Sequence, residues 1–594
     1  MDDPAAVFAK LRASNAERAG ATPLPMGFRL THDALLFFNP DDKDAPPLTI
    51  CGPLRVEAAT HDATSLAWGP LLSWKDANGT RHERAMPHAM LAGDGQEVRA
   101  RLLDAGLFIG PGRKAREKLA EYLARCTPPE RVHVVPRLGW HDTPGGRVFV
   151  LPDGALGGDG AAKLRLQTER PDALPPLVQS GTLAEWQQGL AAPAVGNSRL
   201  AFSLSIAFAA PLLGLLSAEG GGFHWRGPSS VGKSTALHAA GSVWGGGGLH
   251  GWCRSWRATD NALEAIAAAH SDLLLCLGEM GEAEPEVVGR CAYMLANGAG
   301  KGRANRDGGA RRAAEWRLLF LSSGEVGIAD RMAESRHGQK RARAGQEVRI
   351  LDIPADTGCH GLFETLHGHD KAAALADALR GAAGRFYGTA GRAWLEHMAG
   401  DPDGIAAAAR EVRDAFITAN VPAHADGQVR RAAGRFGLVA AAGELAVAAG
   451  VLPWPAGEGT KAAAVCFKAW LRARAGGAGA SEDAEAVALV RRFIAAHGDS
   501  RFQVIGADDA LRVINRAGWK RREGDGWLYL IQPDIWRAEV VPGLDSQAAA
   551  RAVNRAGFLV LESGRLQKSE RVGATEPVRV YVVRDTILSG GADE

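Results

Sequence analysis

The chain has 594 residues, 46% hydrophobic and 23% charged, with 69 Lys+Arg against 67 Asp+Glu and a formal net charge of +2. That length accommodates roughly three to five domains with separate cores, and the composition excludes wholesale disorder. Near-cancelled charge excludes any argument for a nucleic-acid partner from totals, so such contact must come from local clusters.

In chain order, residues 1–185 form a mixed α/β N-terminal region. Val132–Trp140 and Arg147–Pro152 alternate as strands, Lys114–Cys126 reads as a helix, and no catalytic spacing stands out. Leu200–Leu216 is apolar but interrupted by Pro211, so it reads as a buried helix rather than a membrane span. From 195 to 365, short apolar strands alternate with helices and glycine-rich loops, the pattern of a layered α/β core. Residues 370–480 are alanine-rich and helical, a lid or linker with apolar faces in Phe436–Ala449 and Ala463–Leu471. In 484–594, Arg512–Trp519 followed by Gly526–Ile531 is echoed by Arg551–Phe558 followed by Val578–Val583. A helix closed by glycine and followed by a ribbon outlines a winged-helix-like module, and two in tandem are expected; such modules contact DNA or protein.

Gly227, Pro228, Ser229, Ser230, Val231, Gly232, Lys233 and Ser234 match the phosphate-binding pattern G-x-x-x-x-G-K-[ST]. Glycines permit a tight turn that points several backbone N–H groups into one concavity, and the following helix, continuing through Thr235, adds its N-terminus. Lys233 supplies charge to the β/γ-phosphates and Ser234 a hydroxyl to Mg²⁺, which makes ATP and Mg²⁺ the expected cofactors. The lead-in Phe223-His-Trp225 reads as the strand before the loop.

The matching acidic element is Ser271-Asp-Leu-Leu-Leu-Cys-Leu-Gly-Glu-Met280. Its apolar run is a buried strand, and Glu279 at the carboxyl end is placed to polarise water and assist the metal. An aspartate before that glutamate is replaced by Gly278, which has no side chain to hold a metal-bound water. Thr259 reads as a helix cap before Asp260 and Asn261. Trp316–Gly324 is another buried strand, and Ser322 or Ser323 at its end would sense the γ-phosphate. Between these strands, Lys301, Arg303, Arg306, Arg311 and Arg312 surround Asp307-Gly-Gly309, a basic β-hairpin suited to a nucleic-acid backbone. Arg331 is the first candidate for an arginine acting across a subunit boundary, followed by Arg336, Arg341, Arg343 and Arg349; Arg431 and Arg435 are candidates for a lid contact. Seven cysteines (51, 126, 253, 276, 291, 359, 466) show no metal-binding spacing, which fits a reducing, cytoplasmic setting.

These features resemble a bacterial family known as domain of unknown function 927, found in phage, plasmid and integrated-element proteins. The resemblance spans about residues 130 to 500. It rests on Leu138-Gly-Trp140, the 227–234 loop, Trp256/Thr259/Asn261/Glu264, Tyr293–Arg303, Leu321–Glu325, Gly345–Pro354 and Gly427–Phe436. It implies a ring-forming P-loop ATPase of the AAA+ or superfamily 3 helicase kind, linked to replication of mobile DNA. Family members usually have Leu-Asp-Glu where this chain has Leu277-Gly-Glu279. The reading that follows is an ATP-driven DNA-translocating motor, expected as a homo-oligomer and in particular a hexamer. Its expected partners are single-stranded or fork DNA and a separate primase or initiator, with no membrane. An ATP-switched loader with slow hydrolysis and a non-enzymatic DNA-binding scaffold are the alternatives.

Overall fold

A computed structural model describes residues 22–42, 44–168, 173–246, 251–304, 310–311, 313–334, 349–474, 481–506, 513–562, 564–572 and 577–589. The fold is α/β, as the strand and helix patterns predict.

Small sheets make up the first part. The largest has the order Leu164–Leu166, Arg131–Val135, Arg55–His61, Gly69–Lys75, Arg81–Ala85. The helix Arg113–Arg125 buries Ala115, Leu119, Tyr122 and Leu123, a single stripe at helical spacing. The expected single strand Val132–Trp140 is instead two, Arg131–Val135 and Gly139–Thr143, in different sheets. Pro136 lacks a ladder donor, and Gly139 at φ +97° turns the chain.

The central layer begins with α1 (Ser198–Ala209), buried along its whole length. Among the described residues, no helix is long and apolar enough to cross a membrane. There follow β1 (Gly221–Arg226), α2 (Lys233–Ser242), β2 (Arg254–Ser255), α3 (Asp260–Ala269) and β3 (Leu274–Gly278). After these come α4 (Pro285–Asn297), β4 (Leu319–Gly324), α5 (Ile328–Ala333) and β5 (Ile350–Pro354). The five strands are all parallel and lie in the order β2-β3-β4-β1-β5. Continuous apolar runs are what a sheet covered on both faces requires. One face carries Phe223, Trp225, Leu274, Cys276, Leu319 and Leu321 against α1 and α2. The other carries Leu275, Leu277 and Phe320, with Trp256, against α3 and α4. Later helices, α6 (Gly427–Ala448) and α7 (Glu458–Ala473), close over α1.

A buried carboxylate joins the first part to this sheet. Asp272 accepts from Arg317 Nε at 2.9 Å and Nη2 at 2.7 Å, and from the Trp140 backbone N–H at 2.9 Å. Arg137 Nη1 lies 3.4 Å away, and Trp140 Nε1 donates to the Pro211 carbonyl at 2.9 Å. A Cβ on residue 139 would fall 2.1 Å from an Asp272 oxygen, so the Leu-Gly-Trp motif is a docking element.

The C-terminal part departs from the tandem expectation. Residues 513–517 contain no helix, and Arg512 lies outside the described residues. The strands Phe502–Val504, Gly518–Glu523, Gly526–Ile531, Val578–Arg584 and Lys568–Glu570 form one sheet in that order. Pairing of Leu528 with Arg584 and Ile531 with Tyr581 fuses the two ribbons. Helices Ser481–His497 and Ser546–Arg555 share one core on that sheet.

Candidate functional site

The loop lies at the carboxyl end of β1, between Arg226 and Lys233, where ligands sit in open parallel sheets. Ser230 at φ +65° and Gly232 at φ +103° give it alternating handedness. A Cβ at 232 would stand 3.1 Å from Leu362 Cβ, so both space and backbone favour glycine. Among the described residues, the backbone N–H groups of Ser229 through Thr235 donate to no carbonyl. A row of unmet donors at a helix N-terminus is an anion cradle. Lys233 Nζ meanwhile donates to the carbonyls of Gly227 at 2.8 Å and Pro228 at 2.7 Å. Burial holds its pKa below the usual lysine value, while Glu325 and Glu279 oppose that shift. The loop is backed by the turn after β5, where the Leu362 N–H donates to the Val231 carbonyl at 2.8 Å. Gly361 packs so tightly there that a Cβ would lie 2.8 Å from that oxygen.

β3 delivers Glu279 to the same edge of the sheet. Its side chain is exposed, and its backbone is left-handed at φ +56°. At Gly278 a Cβ would meet nothing nearer than the Arg254 carbonyl at 3.8 Å and a Leu237 methyl at 4.0 Å. There is room for the aspartate this chain lacks.

Strand alternation separates the two serines of β4. Ser322 is buried and locked in a directed chain: Trp256 Nε1 donates to its Oγ at 2.8 Å, and that Oγ lies 3.0 Å from His224 Nδ1. His224 Nε2 is 3.1 Å from the Val326 carbonyl, which accepts only, so Nε2 carries the proton and Nδ1 accepts from Ser322. Ser322 is therefore occupied with structure. Ser323, paired in register with Trp225, falls on the opposite face with α2.

Other expected residues are placed differently. Arg331 bonds Glu334 and donates to the carbonyls of Gly281 at 2.9 Å and Ala283 at 2.8 Å, so it clasps the turn after Glu279 within its own chain. Arg435 is buried and donates to the carbonyls of Gly220 and Arg349, each at 3.2 Å. Those groups precede β1 and β5, so Arg435 lies at the end of the sheet remote from the loop and makes no lid contact with it. Arg349 stacks over Tyr293 at 4.7 Å. Arg336, Arg341 and Arg343 lie outside the described residues. Thr259 caps α3, accepting from the Ala262 N–H at 3.3 Å.

The basic ribbon is antiparallel, with Arg303 opposite Arg311 and Ala304 opposite Ala310. Its stem continues through Gly300 N–H to Ala314 and Trp316 N–H to Gly298. Lys301 is engaged at its base: Asp260 Oδ2 holds both Lys301 and Arg290 at 3.1 Å. Arg306, Arg312 and the turn 307–309 lie outside the described residues.

Among the described residues, no group of three or more His, Cys, Asp or Glu side chains is arranged to hold a metal ion. Mg²⁺ does not require one here, because it normally enters such sites on phosphate oxygens with one or two protein ligands. The exposed Ser234 hydroxyl on the first turn of α2 and the exposed Glu279 fit that demand.

Two residues near the loop were given no role by the sequence argument. Glu325 follows the Gly324 carbonyl that binds the Gly227 N–H at 3.3 Å, and it acts electrostatically on Lys233. Its position two residues beyond Ser323 was the available signal. The Leu362 contact had none, since it depends on a chain reversal after β5.

Comparison with known proteins adds two findings. A solved structure named "SCCmec type IV Cch - active helicase" matches with a TM-score of 0.71 at 17% identity, covering 95% of this chain and 99% of that one. At that identity the likeness shows a shared fold. No curated protein sequence matches the chain. Residues 28–315 match the family model described as Domain of unknown function (DUF927).

Proposed function

We propose that this protein is an ATP-dependent DNA-translocating motor of the ring-forming AAA+ or superfamily 3 kind, acting as a helicase for mobile DNA. The observation carrying this reading is the cradle of unmet N–H groups at Ser229–Thr235, with Lys233 inside it and Glu279 on the nearby strand end. The strand order β2-β3-β4-β1-β5 supports it by setting the Ser323 strand between the loop strand and the Glu279 strand. The fold shared with a protein named as an active helicase supports it as well.

In this mechanism the backbone amides hold the β- and γ-phosphate oxygens, and Lys233 leaves the Gly227 and Pro228 carbonyls to meet them. Ser234 and Glu279 would hold Mg²⁺ entering with ATP, and the ion would supply charge neutralisation at the phosphate oxygens. Glu279 orients the attacking water and accepts its proton, and Ser323 donates to the γ-phosphoryl oxygen. An arginine from a neighbouring subunit completes the site. The hairpin carrying Arg303, Arg306, Arg311 and Arg312 holds the strand's phosphates; Lys301 contributes less because Asp260 already neutralises it.

The test is DNA-stimulated ATP hydrolysis and strand displacement, with negative-stain images of the protein and an ATP analogue. Rings and displacement are expected. Replacing Arg303, Arg306 and Arg311 by alanine should flatten the salt dependence of DNA binding while ATP binding stays. A second reading, an ATP-switched loader, is favoured by Gly278. It predicts rings and tight ATP binding without displacement.

A further inference from the structure

Two thiols lie beneath the loop helix, and the nucleotide reading leaves both unused. Cys276 is a fully buried residue of β3, while Cys253, one residue before β2, is partly exposed. The parallel pair Arg254 with Leu277 carries back by one position to set Cys253 beside Cys276. Adjacent strands lie about 4.8 Å apart, within the Cα separation that a disulfide spans. Both sulfurs converge on one atom: Cys253 Sγ is 3.5 Å and Cys276 Sγ 3.7 Å from the Leu237 carbonyl of α2. The next residue on that helix is His238. A hydrogen bond from Cys276 holds the Cys253 thiol below its ordinary pKa, helped by His238 and Arg254 against the effect of burial. Burial pushes Cys276 the other way. Cys253, the partly exposed of the two, is the sulfur a small oxidant reaches first, and Cys276 is its buried neighbour.

We propose that Cys253 and Cys276 form a peroxide-oxidisable dithiol, a modification site that closes to a disulfide between the edge strand β2 and β3. The Cys253 thiolate attacks one peroxide oxygen; the O–O bond breaks, and the departing hydroxide takes a proton to leave as water. Sulfenic acid remains on Cys253. Cys276 sulfur then attacks that sulfur, the S–O bond breaks, and the hydroxide departs as water with the Cys276 proton. In sum, two thiols and one hydrogen peroxide give one disulfide and two waters.

The other cysteines serve as internal controls. Cys51, Cys126, Cys291 and Cys466 are buried, and Cys359 is exposed without a neighbouring thiol described. The full chain is treated with limiting hydrogen peroxide, capped with iodoacetamide, digested and analysed by mass. A linked Cys253–Cys276 peptide, two hydrogens lighter than its parts and separated by dithiothreitol, should form about ten-fold faster than Cys359 is oxidised. In Cys276→Ala, Cys253 should stop at the sulfenic acid, trapped by dimedone. Should that variant not fold, the order of reaction in the parent chain still decides. Oxidation of Cys359 first, with Cys253 and Cys276 recovered as alkylated thiols, overturns the proposal. The readout is covalent and independent of ATP, so it stands or falls apart from the motor reading.

Discussion

Asp272 and Glu279 flank the same strand, β3, and both have left-handed backbones, at φ +58° and +56°. At the amino end, Asp272 is wholly buried, and Arg317, Arg137 and the Trp140 N–H surround its carboxylate. At the carboxyl end, Glu279 is exposed and faces the charge of Lys233. A buried carboxylate surrounded by four donors holds two parts of a molecule together. One left open at the rim of a parallel sheet, in a backbone region that is uncommon for glutamate, retains capacity for a ligand. Local strain of this kind is tolerated where the surroundings impose it, and such places are often functional.

Breaking the first carboxylate should have the largest effect. Asp272→Ala leaves Arg317 without its partner beside a buried cavity, and a loss of about 3–5 kcal/mol in denaturant unfolding is expected. Gly139→Ala should come close to it, since its Cβ collides with the Asp272 carboxylate. If either variant unfolds like the parent, the Asp272 junction is not what joins the two parts.

Glu279→Gln separates the ends of β3 by chemistry. ATP turnover should fall about 10²- to 10³-fold, with ATP affinity and thermal midpoint nearly unchanged. A large shift in the midpoint would show that Glu279 is structural after all, like Asp272.

Acid should act on the buried side first. Burial holds His141, His224 and His270 down at a pKa of about 4. Each is neutral in the folded chain but binds a proton near pH 6.5 when unfolded. Their contribution is therefore complete above pH 6.5 and is lost as the pH falls toward 4, each adding a slope of about 1.4 kcal/mol per pH unit. His224→Gln should flatten the fall in unfolding free energy between pH 6 and pH 5 by about that amount. An unchanged slope would mean that His224 takes up a proton without unfolding.

The smallest expected effect is a gain. Gly278→Asp introduces a carboxylate into open space beside Glu279 and should raise turnover by about three- to ten-fold, within the reach of one added charge-assisted contact. An equal or lower rate would show that the site handles its metal without that position.

What the sequence disclosed follows from the range of the interactions. The loop and the Thr259 cap are set by neighbours a few residues apart, and the basic hairpin by a turn between nearby strands. The Asp272 junction was hidden because its partners lie at 137, 140 and 317, and no local pattern announces a carboxylate neutralised from such distances. Fusion of the C-terminal ribbons likewise depends on pairing Leu528 with Arg584, so the internal echo suggested two units where the chain builds one sheet. Ser322 and Ser323 were indistinguishable by type. Alternation along β4 separates them, sending one toward Trp256 and His224 and the other toward α2. Arg435 was correctly read as helical, but which end of the sheet it reaches is a matter of packing.

The central claim is that the amides around Lys233 grip a triphosphate. Calorimetric titration of the full chain with MgATP tests it most directly, with Lys233→Ala alongside. The account predicts saturable binding by the parent, a loss of ten-fold or more in the variant, about 1.4 kcal/mol, and unfolding midpoints that agree. Equal affinity in the two proteins, or no binding by the parent, would contradict it.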